Sequence, residues 1–117
     1  MSTYSQRDIV LVPFPFSDLS HRKVRPVLIV SNDEYNQRSS DVVVCGLTTN
    51  LAPAPYSVVA DTADVEDPGS LRHKSRIKVS ALASLEKSVL IKRVARLRPR
   101  LFTEVIAAIH DLIRHPQ

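Results

Sequence analysis

Apolar positions along the chain fall into short runs whose period changes from two to about four near the C-terminus. Asp8-Ile-Val-Leu-Val-Pro-Phe-Pro-Phe16 is rich in β-branched and aromatic residues and too short for a helix, which predicts a strand. Pro13 and Pro15 remove backbone donors, so its second half must lie at a sheet edge or leave the sheet. Polar Ser17 to Lys23 reads as a loop. Arg25-Pro-Val-Leu-Ile-Val-Ser31 is apolar on both faces, as a central strand would be. Asn32 to Gln37 fits one helical turn capped by Asn32 or Asp33. Asp41 to Thr48 is a third strand, Pro53 and Pro55 mark a loop, and Tyr56 to Asp61 is a fourth strand.

Asp67-Pro-Gly-Ser70 is a turn signal. Beyond it, Arg76 to Leu85 alternates: Ile77, Val79, Ala81, Ala83 and Leu85 fall on one face, with Leu82 the exception on the other. Val89 to Arg96 is a further short strand, closed by Pro99. Thr103 is placed as a helix N-cap. Val105, Ile106, Ile109, Leu112 and Ile113 then recur at helical spacing, opposite Glu104, His110, Asp111 and Arg114, until Pro116. Five or six strands, antiparallel by loop length, and one C-terminal amphipathic helix predict a mainly β, α+β fold. It should close as a small barrel with the helix packed on it. The length of 117 residues fits one domain over 1–117, without repeat or linker.

Composition narrows the class. Apolar residues at 44% and charged residues at 24% are globular values, and 2 Gly exclude collagen. No apolar run approaches the ~20 residues of a membrane span, and the polar start lacks the apolar region of a signal peptide. Cys45 is the lone cysteine, so the core must hold the fold without an internal disulfide. A reducing cytoplasm is the expected location.

The net charge of +4 is modest, but its layout is uneven. Residues 61–67 carry Asp61, Asp64, Glu66 and Asp67 with no base. Arg72, His73, Lys74, Arg76 and Lys78 form one run without acids, and Lys92, Arg93, Arg96, Arg98 and Arg100 form another. Two basic runs in one small domain point to an anionic partner, while a merely solvated surface is the competing account.

The histidines never join cysteine or acids at ligand spacing, so no metal site is expected. Two features at strand ends carry the candidate chemistry. Lys23-Val-Arg25-Pro26 places an arginine where a loop enters a buried strand, and Leu47-Thr48-Thr49-Asn50 places hydroxyls where another strand leaves the sheet. Arginine offers a planar, always charged fork that matches phosphate, and threonine adds a directional hydrogen bond. Together they suit a phosphodiester across one barrel rim. On spacing alone, a surface cation and an ordinary strand residue stay open.

Four blocks in order are similar to the MazF/PemK toxins of bacterial toxin–antitoxin pairs. They are Asp8-Ile-Val-Leu-Val, Lys23-Val-Arg-Pro-Val-Leu-Ile-Val-Ser31, Gly46-Leu-Thr-Thr49 and the Leu85 to Leu97 stretch. The resemblance implies the small SH3-like barrel of that family, also found in the gyrase poison CcdB. It implies a homodimer that cuts single-stranded RNA at short motifs without metal or other cofactor, held in check by a cognate antitoxin. The family's catalytic pair maps onto Arg25 and Thr48. Thr49 is the near alternative, since a one-residue slip turns a side chain to the other face. Lys23, Lys74, Arg76 and Lys78 are the basic residues nearest these strands and are expected to bind RNA, with His21 a further candidate as proton acceptor.

The chain departs from the family in three places. Arg7-Asp8 stands where many members have Gly-Asp, and His21-Arg22 stands near a loop glycine. Lys78-Val79-Ser80 replaces an Arg-x-Asp of some members, so Ser80 cannot serve as a carboxylate base. A gyrase poison and a plain RNA-binding barrel are the competing functions. The first needs neither Arg25 nor Thr48. The second is weakened by few aromatics, 3 Phe and 3 Tyr with no Trp, for stacking bases.

Overall fold

The computed structural model of the chain describes residues 4–14, 23–66 and 69–116. The strands are β1 (Asp8–Phe14), β2 (Lys23–Ile29), β3 (Asp41–Thr48), β4 (Ser57–Ala60), β5 (Val65–Glu66), β6 (Ser75–Glu86) and β7 (Lys92–Leu97). The helices are α1 (Asp33–Arg38) and α2 (Pro99–Ile113). Among the described residues the strands form one antiparallel sheet in the order β4-β6-β3-β2-β1-β7-β5, curled into a nearly closed barrel.

Local sequence explains most of these elements. Asn32 caps α1, its side chain accepting from the Tyr35 N–H at 2.8 Å. The β1–β7 ladder stops at Leu11↔Lys92 while β1–β2 continues to Phe14↔Lys23, so Pro13 has a strand on one side only. Pro15, most of the predicted Ser17–Lys23 loop and the Asp67-Pro68 part of the turn lie outside the described residues. Gly69 sits at φ +107°, and a Cβ there would meet Val94 O at 2.2 Å, so only glycine fits against β7.

Two expectations are corrected. Thr103 does not cap α2. The helix begins with Pro99 in its first turn, where a missing N–H costs nothing. The Thr103 hydroxyl instead donates to Pro99 O at 3.0 Å, four residues back. The two-residue β5 was not expected, because it sits inside the acidic run that reads as loop.

The sheet is buried on both faces. Leu28, Cys45, Leu47, Ile77 and Val79 pack under Leu101, Phe102 and Val105 of α2. Val10, Val12, Val27, Ile29, Val42, Val44 and Leu85 form a second core on the other side. That is why β1 to β3 read as continuous apolar runs.

The third correction concerns β6. Its register against β3 steps from Cys45↔Leu82 to Gly46↔Lys78, so Val79, Ser80 and Ala81 face no residue of β3. Three is an odd number, and the step exchanges the faces of the strand. Ile77 and Val79 therefore enter the α2 core and Leu85 enters the other, while Ala81 is exposed. The predicted single apolar face is in fact two.

No helix among the described residues is long and apolar enough to cross a membrane.

Candidate active site

The site begins with a proline. The β2–β3 ladder runs Ile29↔Val44, Leu28↔Cys45, Val27↔Gly46 and goes no further. Pro26 follows, and it has no N–H with which to extend the pairing. The same register carried two residues further sets Arg25 opposite Thr48. Strand alternation puts Arg25 on the face of Val27 and Ile29, and Thr48 on the face of Val44 and Gly46. Lys78, paired with Gly46 from the other side, joins them. The three polar side chains line one cleft of about 430 Å³, whose apolar walls include Val27, Val44 and Ala81.

Thr48 Oγ1 accepts the Asn50 N–H at 3.1 Å, which leaves the hydroxyl proton for an incoming oxygen. Arg76 Nε donates to Asn50 O at 3.1 Å and so fastens the turn that follows Thr48. Arg25 and Lys78 are exposed. Among the described residues no ion pair engages either of them, and no carboxylate lines the cleft. The result is a cationic, donor-rich site open to a polyanion.

The other expected site residues take varied places. Lys23 is exposed at the start of β2, two residues before Arg25 on the same face. Thr49 is exposed just beyond β3, and Lys74 is exposed just before β6; neither lines the cleft. Arg76 is half-buried and bound to the backbone. His21 lies outside the described residues. The cleft also takes in Phe14, Gly46 and Ala81, which the sequence reading passed over. The available signal was Gly46, since a glycine inside a strand pattern marks a bulge or a close approach.

Part of the second basic run is engaged by the fold, while Lys92 and Arg100 are exposed. Asp8, 0% exposed, accepts from Arg96 Nε at 2.8 Å and pairs with Arg93 at 3.7 Å. Arg98 Nε donates to Ala63 O at 3.0 Å. Arg7, where the family often has glycine, holds φ +78°, the left-handed region that glycine adopts without strain. Its side chain is tied down by Leu97 O at 2.7 Å and Glu66 at 3.2 Å.

Solved structures share this architecture. One is an endoribonuclease from a mycobacterial species in complex with its cognate antitoxin, with a TM-score of 0.79 and 19% identity over 97% of this chain and 98% of that one. Another is the Mycobacterium tuberculosis toxin MazF-mt6, with a TM-score of 0.73 and 19% identity over 95% of this chain and 100% of that one. A third is MazE-MazF from Deinococcus radiodurans, with a TM-score of 0.79 and 17% identity over 98% and 100%. Identities this low show a common fold. No curated protein sequence matches the chain. The family model of the PemK-like, MazF-like toxins matches residues 5–113, and the chain therefore belongs to that family of type II toxin–antitoxin toxins.

Proposed function

We propose that this toxin is an endoribonuclease that cuts single-stranded RNA in the Arg25–Thr48 cleft, using the 2′-hydroxyl of the RNA as nucleophile and requiring no metal. The observation that carries the reading is the meeting of Arg25, Thr48 and Lys78 in one cleft that no carboxylate lines among the described residues. A bound phosphodiester would be held by the Arg25 fork and by the Thr48 hydroxyl. The 2′-oxygen bonds to phosphorus as its proton passes to solvent water. The P–O5′ bond then breaks, and the 5′-oxygen takes up a proton. The products are a 2′,3′-cyclic phosphate and a 5′-hydroxyl. The protein's share is alignment of the chain and stabilisation of charge on the phosphorane, for which Arg25 and Lys78 are placed. DNA, with no 2′-hydroxyl, is not a substrate for this step.

The functional unit we propose is a homodimer of single-domain chains spanning 1–117, acting in the cytoplasm and bound by a cognate antitoxin. A structural relative solved with its own antitoxin supports that partner. The deciding experiment incubates pure protein with RNA, and separately with supercoiled DNA plus gyrase, all in EDTA. RNA fragments with cyclic or 3′-phosphate ends are expected. Cleavage lost in EDTA and restored by Mg²⁺ would refute the mechanism, and gyrase poisoning without RNA cleavage would favour the CcdB-like reading.

A further inference from the structure

β4 stands at one end of the sheet order and pairs only with β6. Its register is Ser57↔Lys78, Val58↔Ile77, Val59↔Arg76 and Ala60↔Ser75. One residue earlier, the Val79 N–H donates to Tyr56 O at 3.0 Å. Antiparallel pairing alternates from there, so the N–H and C=O of Val58 and Ala60 turn towards β6, and those of Ser57 and Val59 turn away from it. Among the described residues, no hydrogen bond engages these outward groups. No ladder joins β4 to β5 at the other end of the order, and only residues 61–64 bridge the two strands.

This open edge lies beside cations. Residues directly opposite in a ladder share a face, so Ser57 and Val59 share theirs with Lys78 and Arg76. Tyr56 and Val59 are 45% and 44% exposed and give the edge an apolar margin. The acids nearest in sequence, Asp61 and Asp64, are spent on their own turn. Asp61 accepts the Thr62 N–H at 2.7 Å, and Asp64 accepts the Asp61 N–H at 2.8 Å. A strand laid along β4 would sit two strand spacings from β6, about 10 Å. Side chains of that strand on the shared face would meet the long side chains of Arg76 and Lys78.

We propose that the outer edge of β4 takes an extended acidic peptide as an added strand, and that the cognate antitoxin supplies it. Main-chain bonds to Ser57 and Val59 hold the strand, and its carboxylates on the shared face neutralise Arg76 and Lys78. The identity of the partner rests on the antitoxin reading above. RNA does not match this edge, because phosphate oxygens only accept and would leave the C=O groups of Ser57 and Val59 unmet. A second copy of the chain would bring its own Ser57-Val-Val-Ala60, which carries no acid for the two cations.

Amide hydrogen exchange and one variant test the assignment. Exchange is followed by NMR in the full chain, alone and bound to its full-length cognate antitoxin. In the free chain the Val58 and Ala60 amides are expected to be protected by β6, and the Ser57 and Val59 amides to exchange quickly. In the complex the Ser57 and Val59 amides are expected to slow by at least about tenfold. Val59→Pro removes one outward N–H and leaves the ladder to β6 whole. It is expected to weaken antitoxin binding by about tenfold while RNA cleavage stays at the wild-type rate. If the antitoxin binds but both amides exchange as in the free chain, the edge site is overturned and the antitoxin reading stands. The exchange measurement needs no variant, so it decides even should Val59→Pro fail to fold. A folded Val59→Pro that binds antitoxin at wild-type affinity also overturns the edge site. Protection that grows with the concentration of the chain alone would assign the edge to a second copy and refute the acidic peptide. An antitoxin that does not bind at all refutes the partner reading, and this occupant falls with it.

Discussion

Arg96 Nε donates to Asp8 Oδ1 at 2.8 Å, joining β7 to the first residue of β1 through a carboxylate that water does not reach. This bond pushes the Arg96 guanidinium above its ordinary range, against the downward pull of burial. Among the described residues, removing the cation while the buried acid stays leaves Asp8 with only Arg93 at 3.7 Å and the Ser5 N–H at 2.8 Å. Arg96→Met is therefore expected to destabilise the protein by about 3 kcal/mol or more, and Asp8→Asn by less, because Arg96 can turn toward solvent. Urea unfolding measures both, and a change below about 1 kcal/mol for Arg96→Met would refute the account.

Arg25 is exposed, so its loss should cost activity and not stability. Arg25→Ala is expected to lower RNA cleavage by about 10²–10³ with an unchanged melting curve. Arg25→Lys should recover little, since a point charge lacks the fork. Thr48→Ala should also fail, and Thr49→Ala much less. Full activity in Arg25→Ala would move the site elsewhere.

Arg76 holds the turn after Thr48, and Lys78 lines the cleft. The double charge reversal Arg76→Glu with Lys78→Glu is expected to weaken both RNA cleavage and antitoxin binding while the protein stays folded. RNA binding should also fall steeply with salt as counterions are released, and antitoxin binding less so. Wild-type cleavage and inhibition in the double variant would exclude a shared basic face.

Burial pushes the Cys45 thiol up to about 12 from 9.0. A thiol that stays protonated in the fold but ionises in the unfolded chain favours unfolding as pH rises. Its contribution is complete below pH 9.0 and falls by about 1.4 kcal/mol per pH unit from there towards 12. Cys45→Ala is expected to flatten the loss of stability above pH 9.0 relative to wild type, and parallel pH profiles would refute this. Below that pH the native thiol should not react with thiol reagents.

A dimer is expected at working concentration. Ile106 on α2 and Leu82 on β6 are 42% and 36% exposed and share a groove of about 430 Å³ with Tyr35, apolar surface that a second chain would cover. Sedimentation at the 13.1 kDa of one chain would count against it.

Where neighbours along the chain set the structure, the pattern of residues was enough. Asp41 to Thr48 reads as a strand because it is short and β-branched, and the cap of α1 is narrowed to Asn32 or Asp33, of which Asn32 accepts from the Tyr35 N–H. The Arg-Pro block and the Gly46 to Thr49 block carried the family, and the ladder accounts for their being close, with Arg25 opposite Thr48 when the register is carried on. The faces of β6 were decided elsewhere. Period two assumes an unbroken register, and the three residues beside Gly46 that β3 leaves unpaired break it. Partners of charged residues were equally hidden, because Asp8 and Arg96 lie 88 positions apart and only sheet pairing joins them. Thus the basic run at 92–100 read with the run at 72–78 as a sign of an anionic partner, although Arg93 and Arg96 serve a buried acid. Local propensity and alternation are properties of the sequence by itself. Register and charge pairing depend on contacts between distant segments, so only the folded barrel determined them.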